Sequence, residues 1–431
     1  MENRYEKYKD SEIAWIGEIP EHWEMLKIKN AFYIVSGATP KTDNSAYWDG
    51  EIIWITPADY KTEDRVIKSG KRNITLAGLN SCGTSIVPQG SIIFSKRAPI
   101  GLVAINVVPL CTNQGCISCI PRSFVNNKYF YYLISVLTEW FELLGAGTTF
   151  KELSTNNFVN FNLSQPPFFE QQSIADYLDK KCDEIDELIA LQEEMITKLQ
   201  SYKQSVITEV VTKGLDKNVP LKDSGIEWIG KIPMHWKICK LKNIFLLSTG
   251  TTPKGFDKIS EEDNLINWYT PSDILDSCND LFSSQRKLSE QVIEENGISL
   301  FPVGTLMYVG IGASAGKLGY ANESGYSNQQ ITGLIPFNCY SKFYFYYLSG
   351  LKEKIRDNAF FTTLPIINNA YLGQELIPYP PMSEQQTIAD YLDQKCSEID
   401  ELISIKQQKI EKLKDYKKSL IFECVTGKRK V

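Results

Sequence analysis

Glu170-Gln-Gln-Ser-Ile-Ala-Asp-Tyr-Leu-Asp179 is a segment that returns 214 residues later, almost unchanged, as Glu384-Gln-Gln-Thr-Ile-Ala-Asp-Tyr-Leu-Asp393. A second segment, Trp15-Ile-Gly-Glu-Ile-Pro-Glu-His-Trp23, returns 213 residues later as Trp228-Ile-Gly-Lys-Ile-Pro-Met-His-Trp236. This period is much longer than the ~20–50 residues of a solenoid repeat. The 431 residues therefore contain one large unit twice, and we expect two similar globular halves, each followed by its own connector.

The connectors have the periodicity of long amphipathic helices. Residues 171–212 and 385–426 contain neither proline nor glycine, a proline pair precedes each, and Gly214 and Gly427 follow them, as start and stop signals do. Helices of ~42 residues would be ~63 Å long. Because an apolar stripe is unstable in water, we predict that the two helices pair antiparallel, as in a coiled coil. The stripes comprise Leu178, Ile185, Leu188, Ile189, Met195, Ile196, Leu199, Tyr202, Val206 and Val210, and Leu392, Ile399, Leu402, Ile403, Ile410, Leu413, Tyr416 and Leu420.

The segments before the connectors show a different pattern. Short β-rich runs such as residues 51–56 and 90–95 are bounded by Gly, Pro and Asn. Each half also has one aromatic helical segment, at residues 129–133 and 344–348. The predicted fold class is α+β, with two tandem α+β domains separated by two long antiparallel helices and related by an internal pseudo-twofold repeat. The predicted boundaries are 1–165 and 215–380 for the domains, and 166–214 and 381–431 for the helical connectors.

Composition is that of an ordinary globular protein. The apolar fraction is 43% and the formal net charge is −6. No apolar run approaches the ~18 residues of a membrane span, and the N-terminus is too polar for a signal peptide, so we expect a cytoplasmic protein without a membrane partner. The acidic excess lies mostly in residues 166–214, with 5 basic and 10 acidic side chains. Any nucleic-acid surface must therefore be a local basic patch.

Matched loops indicate what the duplicated halves keep. Gly37-Ala-Thr-Pro40 corresponds to Gly250-Thr-Thr-Pro253, and a lysine follows each. Trp54-Ile-Thr-Pro-Ala-Asp59 corresponds to Trp268-Tyr-Thr-Pro-Ser-Asp273. The loop after the central strand differs most, since residues 95–101 read SKRAPIG and residues 309–317 read VGIGASAGK.

Taken together, the two halves entered through a GxTP segment and the duplicated EQQxIADYLD helices resemble the specificity subunit of type I restriction-modification systems. The resemblance covers essentially the whole chain. It implies two target-recognition domains separated by two antiparallel helices. Because the halves match in frame but differ in their loops, we predict that they read an asymmetric, bipartite DNA site. The resemblance also implies two copies of an adenine methyltransferase subunit docked on the helices, with motor-nuclease subunits outside them. In that family the specificity subunit is not catalytic.

The residues themselves offer little for catalysis or cofactor binding. The two histidines, His22 and His235, occupy one repeated place between proline and tryptophan, where packing is the simpler interpretation. Residues 310–318 come close to a phosphate-binding loop, but Leu318 stands where a magnesium-binding Ser or Thr is needed. Cys116 and Cys119 form a lone CxxC without the further ligands of a zinc site. We expect no cofactor and no metal.

Candidate DNA contacts follow from side-chain chemistry. Lys and Arg bind phosphate, Arg pairs with guanine, and Asn and Gln pair with adenine. The first candidates are Lys96, Arg97 and Lys317. The second set is Lys41, Lys254, Tyr60, Asn113, Gln114, Asn328 and Gln329. The alternative interpretation is that the lysines are merely solvated and that the Asn-Gln pairs terminate strands.

Polar positions of the helices recur in the copy as faithfully as the apolar stripe does. Packing alone would preserve only the stripe, so we expect these polar faces to bind the two methyltransferase subunits, although a solvated face is the alternative. The candidate partner-binding residues are Asp176, Asp186, Glu187, Asp390, Asp400 and Glu401. A different function, that of a structural adaptor which binds partners without reading bases, also fits the sequence.

Overall fold

The computed structural model describes residues 4–60, 65–146, 151–254, 265–275, 279–312, 314–350, 360–361 and 365–431. The chain divides into two compact units. The first unit comprises Met1–Glu193 and Gln408–Val431, and the second comprises Glu194–Gln407. Each unit therefore combines one globular half with a segment of both long helices.

The first unit begins with a run of short strands and helices. Its strands are β1 (Tyr8–Asp10), β2 (Glu18–Pro20), β3 (Glu24–Lys27), β4 (Phe32–Ser36), β5 (Trp48–Ile55), β6 (Val66–Ile67), β7 (Arg72–Ile74), β8 (Ile92–Ser95), β9 (Val103–Asn106), β10 (Cys111–Thr112), β11 (Cys116–Pro121) and β12 (Asn162–Gln165). Its short helices are α1 (Ile28–Ala31), α2 (Leu76–Asn80), α3 (Asn127–Ser135), α4 (Thr138–Leu144) and α5 (Thr155–Val159).

Two sheets form the body of this unit. The larger has the strand order β4-β11-β8-β9-β6, and the smaller has the order β10-β5-β7. Side chains alternate across the central strand β8, as the two-residue period of a strand requires. Ile92 and Phe94 therefore join the core under helix α3, while Ile93 packs with Ile55 and Ile67 on the opposite face. The larger sheet is thus buried on both faces.

The second unit repeats this arrangement. Its strands are β13 (Leu221–Asp223), β14 (Lys231–Pro233), β15 (Lys237–Lys240), β16 (Phe245–Thr249), β17 (Leu265–Tyr269), β18 (Asn279–Leu281), β19 (Arg286–Ser289), β20 (Leu306–Val309), β21 (Leu318–Ala321), β22 (Gly325–Ser327), β23 (Ile331–Pro336), β24 (Phe360–Phe361), β25 (Pro365–Ile366) and β26 (Leu376–Tyr379). Its short helices are α7 (Glu290–Asn296), α8 (Ser341–Ser349) and α9 (Asn369–Gln374). The sheet orders β16-β23-β20-β21-β18 and β19-β17-β22 match those of the first unit strand for strand. The predicted α+β class with an internal repeat is confirmed.

The long helices are α6 (Phe168–Lys213) and α10 (Met382–Val425), with 46 and 44 residues. Inside the first unit, the Asp186 carboxylate lies 2.7 Å from the Lys417 ammonium. Inside the second, Lys203 and Asp400 are 2.6 Å apart. In each unit, residues early in one helix therefore meet residues late in the other, so the predicted antiparallel pairing is confirmed. The glycine after α6, Gly214, has φ of +74°, the left-handed conformation that ends helices.

The predicted apolar stripe is only partly buried. Leu178 and Ile185 pack against Leu420 in the first unit, as expected. The helix pair does not cover the whole stripe, because Leu188, Leu402 and other stripe positions are exposed. A pair of helices can cover only the narrow face that each turns to the other, so a wider stripe leaves an apolar edge uncovered. The exposed stripe residues are Leu188, Met195, Tyr202, Leu402 and Tyr416.

The repeated EQQxIADYLD segment connects each long helix to its globular half. Glu170 accepts hydrogen bonds from the Trp23 indole at 3.0 Å and from the Tyr5 hydroxyl at 3.0 Å, and it lies 2.6 Å from His22 Nε2. Buried Gln171 donates to the Pro166 carbonyl at 2.9 Å. Glu384, Gln385, His235 and Trp236 repeat this arrangement in the second unit. Much of the repeated motif is therefore a structural clamp at the start of each helix.

Asp179 extends the clamp about two turns further along α6. Its carboxylate accepts hydrogen bonds from Lys128 at 2.6 Å and Tyr132 at 2.7 Å, and it pairs with Arg65 at 3.3 Å. Burial acts to raise the pKa of Asp179, but the contacts with Lys128, Tyr132 and Arg65 outweigh it and hold the pKa below its ordinary value. The carboxylate is therefore ionised at neutral pH and holds helix α3 against α6. No helix in the described part of the chain is both long and apolar enough to cross a membrane.

Candidate nucleic-acid interface

The GxTP loop of the first half lies against the Asn-Gln loop. The backbone N–H of Ala38 donates to the Thr112 carbonyl at 3.0 Å, and the Trp54 indole donates to the Ala38 carbonyl at 3.0 Å. The Thr39 hydroxyl donates to the side-chain oxygen of Gln114. Gly37 has to be a glycine, because a Cβ there would overlap the Asn113 carbonyl. The loop thus holds the exposed Gln114, and the carbonyl of the exposed Lys41 accepts from the Trp48 indole at 3.1 Å.

The second half builds the same arrangement from different residues. The Thr251 N–H donates to the Ser327 carbonyl at 2.8 Å. The Thr252 hydroxyl donates to the Gln329 side-chain oxygen at 2.6 Å, as Thr39 does to Gln114. A Cβ at Gly250 would overlap the Asn328 carbonyl. The GxTP and Asn-Gln motifs therefore form one structural unit in each half, with an exposed glutamine at its edge.

The TPxD segments follow strands β5 and β17 directly and lie next to this edge. Thr56 and Asp59 form a reciprocal capping box, and Thr270 and Asp273 do the same in the second half. The Asn113 N–H donates to the Ile55 carbonyl at 2.9 Å, which joins the Asn-Gln loop to strand β5. The TPxD segments therefore have a structural role in turning the chain at the end of the strand.

The asparagines of the two Asn-Gln pairs are engaged within their own loops. The Asn113 side-chain oxygen accepts from the Gly115 N–H at 2.9 Å. The Asn328 side chain accepts from the Gln330 N–H at 3.1 Å and donates to the Gln330 side chain at 3.0 Å. This geometry agrees with the alternative that the asparagines terminate strands. Their contact with DNA stays a prediction.

Lys96 and Arg97 share a carboxylate that the sequence did not suggest. Lys96 Nζ lies 2.9 Å from Glu152 Oε1, and Arg97 Nε lies 2.9 Å from Glu152 Oε2. The Lys96 side chain is 14% exposed and that of Arg97 is 45% exposed. Burial acts to raise the pKa of Glu152, but the hydrogen bonds from Lys96 and Arg97 outweigh it and lower the pKa below its usual value. We call these three residues the first-half triad.

The corresponding positions of the second half carry no charge. The Leu153 N–H donates to the Lys96 carbonyl at 2.9 Å, and the Ile367 N–H donates to the Gly310 carbonyl at 2.8 Å, so Gly310 occupies the place of Lys96. Ile311 then corresponds to Arg97. Beside them lies a cleft of about 350 Å³, whose lining includes four amide side chains. These are Gln329, Gln330, Asn368 and Asn369.

The other three candidates, Lys317, Lys254 and Tyr60, have different surroundings. Lys317 follows the loop, and its carbonyl accepts from the Val309 N–H at 2.9 Å, so it does not occupy the place of Lys96. The backbone of exposed Lys254 is held by Asn296 at the end of helix α7. The Tyr60 hydroxyl points to the Cys116 sulfur at 3.9 Å in the core, and burial raises the Tyr60 pKa well above its usual value. For Tyr60 the inward hydroxyl favours a packing role.

Some residues of this interface were missed. Thr39 and Thr252 were quoted as part of a motif, and their recurrence beside a recurring glutamine was a usable signal. Glu152, Asn368 and Asn369 had no such signal, because their partners are distant in sequence and neither half repeats them.

Cys116 and Cys119 point to opposite faces of their sheet, into different cores. Among the described residues, no group of three or more His, Cys, Asp or Glu side chains could hold a metal ion.

The duplicated fold and its paired loops agree with comparisons to known proteins. The sequence profile of the type I restriction modification DNA specificity domain matches residues 20–200 and again residues 233–415. These two matches cover most of the chain, which therefore belongs to this family. The resemblance drawn from the sequence is confirmed.

Individual relatives are named as specificity subunits of type I restriction enzymes. The type I restriction enzyme MjaIX specificity subunit of Methanocaldococcus jannaschii is 34% identical over 257 residues, which are 57% of this chain. This chain spans about half, 56%, of the length of that relative. The MjaVIII specificity subunit of the same organism is 23% identical over 438 residues, covering 96% of this chain and 94% of that protein. A chain from a structure of a type I R-M system has a TM-score of 0.75 at 17% identity, covering 94% of this chain and 98% of that chain, which shows the common fold.

Proposed function

We propose that this chain is the DNA-reading, non-catalytic subunit of a type I restriction-modification complex. Residues 1–165 read one half of a bipartite site and residues 215–380 read the other. The observation that carries this proposal is the duplicated edge, where a threonine holds an exposed glutamine in each half. The carbonyl oxygen of a glutamine side chain has two lone pairs. Gln114 and Gln329 can therefore accept from threonine and still pair with an adenine edge.

The shared framework and the differing loops have different roles in recognition. The glycines and threonines of the GxTP segments and the TPxD capping boxes are common to both halves and position the edge. The loops after β8 and β20 differ in charge and length, so the two half-sites differ in sequence. An asymmetric target follows, because a pseudo-twofold framework that carries unlike loops reads unlike half-sites.

The long helices offer a second duplicated surface, which suits two copies of one partner. In the first unit, Leu188 and Leu191 are exposed on α6, and Tyr416 is exposed on α10. In the second unit, Leu402, Ile405 and Tyr202 repeat this set with the two helices exchanged. Exposed apolar patches of this kind mark interaction sites. We assign the partner as the methyltransferase subunit, one copy per patch.

The acidic residues predicted to bind this partner fall into two groups. Asp186 pairs with Lys417, and Asp400 pairs with Lys203, so both carboxylates hold the helix pair together. A charge reversal at these two positions would disturb the helices and would not test partner binding cleanly. The other four are exposed and remain candidates for the partner. They are Asp176, Glu187, Asp390 and Glu401.

The rest of the assembly follows from the family's architecture. Motor-nuclease subunits would join outside the methyltransferase copies, and the complex would act on double-stranded DNA in the cytoplasm of a bacterium or archaeon. The alternative, a structural adaptor that reads no bases, shares the helix patches but makes no use of the glutamine edges. The two proposals therefore differ in the consequences of changing Gln114 and Gln329.

The decisive experiment coexpresses the chain with its methyltransferase subunit and sequences the methylated bases of the host DNA. The proposed function predicts a bipartite motif. Gln114→Ala is expected to relax one half of it, and Gln329→Ala the other, with discrimination lost by about 1–3 kcal/mol at the affected base pair. Exposed Gln172, on helix α6, provides the control, and Gln172→Ala should leave the motif intact. Methylation without any motif would favour the adaptor, and an unchanged motif in both variants would exclude the two glutamines as the reading residues.

A further inference from the structure

The first-half triad has the geometry of a positioned arginine. Glu152 offers one carboxylate oxygen to Lys96 and the other to Arg97, each at 2.9 Å. Lys96 is mostly buried, so its ammonium serves as a counter-charge inside the protein. Arg97 is the exposed member. Among the residues that the structure describes, Arg97 donates to Glu152 through Nε. Within the described part of the chain the terminal nitrogens Nη1 and Nη2 have no acceptor, so they can bind an acceptor outside the protein.

A guanidinium held in this way suits guanine. Guanine presents O6 and N7 as two acceptors in the major groove, and the planar arginine fork matches them with two parallel hydrogen bonds. Holding the fork in place before binding lowers the cost of ordering a long side chain. The triad carries a net charge of only +1, because the Glu152 charge cancels one cation. This arrangement favours a directed base contact over general attraction to phosphate.

The second half provides the internal comparison. Gly310 and Ile311 take the places of Lys96 and Arg97, and the adjoining cleft is lined by amides. Neither residue can donate a charged fork to guanine. A guanine contact by Arg97 would therefore have no counterpart at this place in the second half.

We propose, on the basis of the proposed function, that Arg97 reads a guanine in the half-site of residues 1–165, with Glu152 as its positioning residue. Lys96 then stabilises Glu152 and does not contact DNA, although the sequence placed Lys96 among the first candidates. Guanine is thus the base that the loop of the first half recognises.

The test measures binding of the chain, assembled with its methyltransferase subunit, to duplexes derived from its methylated motif. Each base pair of the first half-site is replaced in turn, and each duplex is titrated at several salt concentrations. Arg97→Ala should remove the preference for one G·C pair by about 5- to 100-fold and leave the other positions unchanged. Arg97→Lys keeps the charge but lacks the fork, so it should lose the same preference with an unchanged salt dependence.

Glu152→Gln separates positioning from a general structural role. Removing the carboxylate releases a cation, so binding to unrelated DNA should strengthen and its salt dependence should steepen by up to about one charge. The preference for guanine should fall at the same time. A variant that is merely misfolded would weaken all binding. Ile311→Ala is the matched control at the corresponding place, and it should leave the guanine preference of the first half-site unchanged.

Two results would overturn the inference. One is that Arg97→Ala weakens every duplex equally and lowers the salt dependence by about one charge, which identifies a phosphate contact. The other is that Arg97→Ala and Glu152→Gln leave the guanine preference intact. If the unaltered complex methylates no defined motif, the proposed function itself fails, and this outcome is separate because it does not involve the variants.

Discussion

In the first half, the loop after the central strand carries Lys96 and Arg97 on Glu152, whereas the same backbone positions of the second half carry Gly310 and Ile311. Both positions are held by the same backbone hydrogen bond to the neighbouring Asn-Gln loop. The Lys96 N–H donates to the Gly115 carbonyl at 2.9 Å, and the Gly310 N–H donates to the Gln330 carbonyl at 2.8 Å. The duplicated chain has therefore kept the framework of each loop and changed the chemistry that the loop displays. If each half reads its own half-site, as we propose, such a difference points to the residues that set specificity.

The largest effect is expected on the helix patches, where the two units are most alike. Leu188→Glu or Leu402→Glu places a charge in an apolar interface and should weaken one partner site by on the order of 100-fold. Each single variant should retain one methyltransferase copy, and the double variant should retain none. The measurement is the subunit ratio after co-purification, by light scattering.

Leu76→Glu is the control for these variants, because Leu76 is an exposed leucine of helix α2, which packs against strands β5 and β7. It should bind two partner copies. If Leu188→Glu and Leu402→Glu each removed both copies, or neither, the equivalence of the two patches would be contradicted.

The next effect concerns the framework glycines. Gly37→Val and Gly250→Val each place atoms against a backbone carbonyl and should lower the free energy of unfolding by about 1–3 kcal/mol. Because each glycine supports the edge of its own half, each variant should blur only one half of the methylated motif. Thermal unfolding and methylation sequencing of the same preparations give both quantities.

Gly83→Val is the matched control for the glycine variants, since nothing lies within 4 Å of a Cβ at exposed Gly83. Its melting temperature and motif should stay unchanged. A loss of both half-sites from Gly37→Val alone would show that the two edges do not act independently.

A smaller, pH-dependent effect is expected at Asp179. The contacts with Lys128, Tyr132 and Arg65 lower the folded-state pKa of Asp179 against the opposing effect of burial, so its contribution to stability is fully present above the unfolded value of about 3.9. That contribution is lost as the pH falls through the folded-state pKa. Asp179→Asn should destabilise the protein at pH 7 by about 1–2 kcal/mol and flatten the decline in stability below pH ~4. Chemical denaturation between pH 3 and pH 7, with the exposed Asp176→Asn as control, measures it.

Periodicity and repetition were sufficient to predict the architecture, because both patterns are visible in short stretches of sequence and occur in both halves. The long helices end where Gly214 and Gly427 stop them, and the loops that matched between halves do form one edge. Sheet order depends on long-range pairing and was not predictable from one sequence. The exposed part of the helix stripe was also missed, because periodicity identifies an apolar face but not what covers it.

The candidate interface was predictable only where the duplication repeated it. Gln114 and Gln329 recur, and the structure places them alike. Glu152 occurs once and lies 55 residues from Arg97, so its contact arises only from folding. Asp186 and Asp400 recurred for a reason that the sequence could not reveal, since each pairs with a lysine of the other helix. Recurrence thus marked positions under constraint without separating structural constraint from functional constraint.

The most direct test of independent reading is an exchange of one half. Residues 31–165 are replaced by the corresponding region of another member of the family, and the methylated motif of the host DNA is sequenced. The account predicts that one half of the motif changes, including the guanine assigned to Arg97, while the half read by residues 215–380 stays the same. A motif that changes in both halves, or in neither, would contradict it.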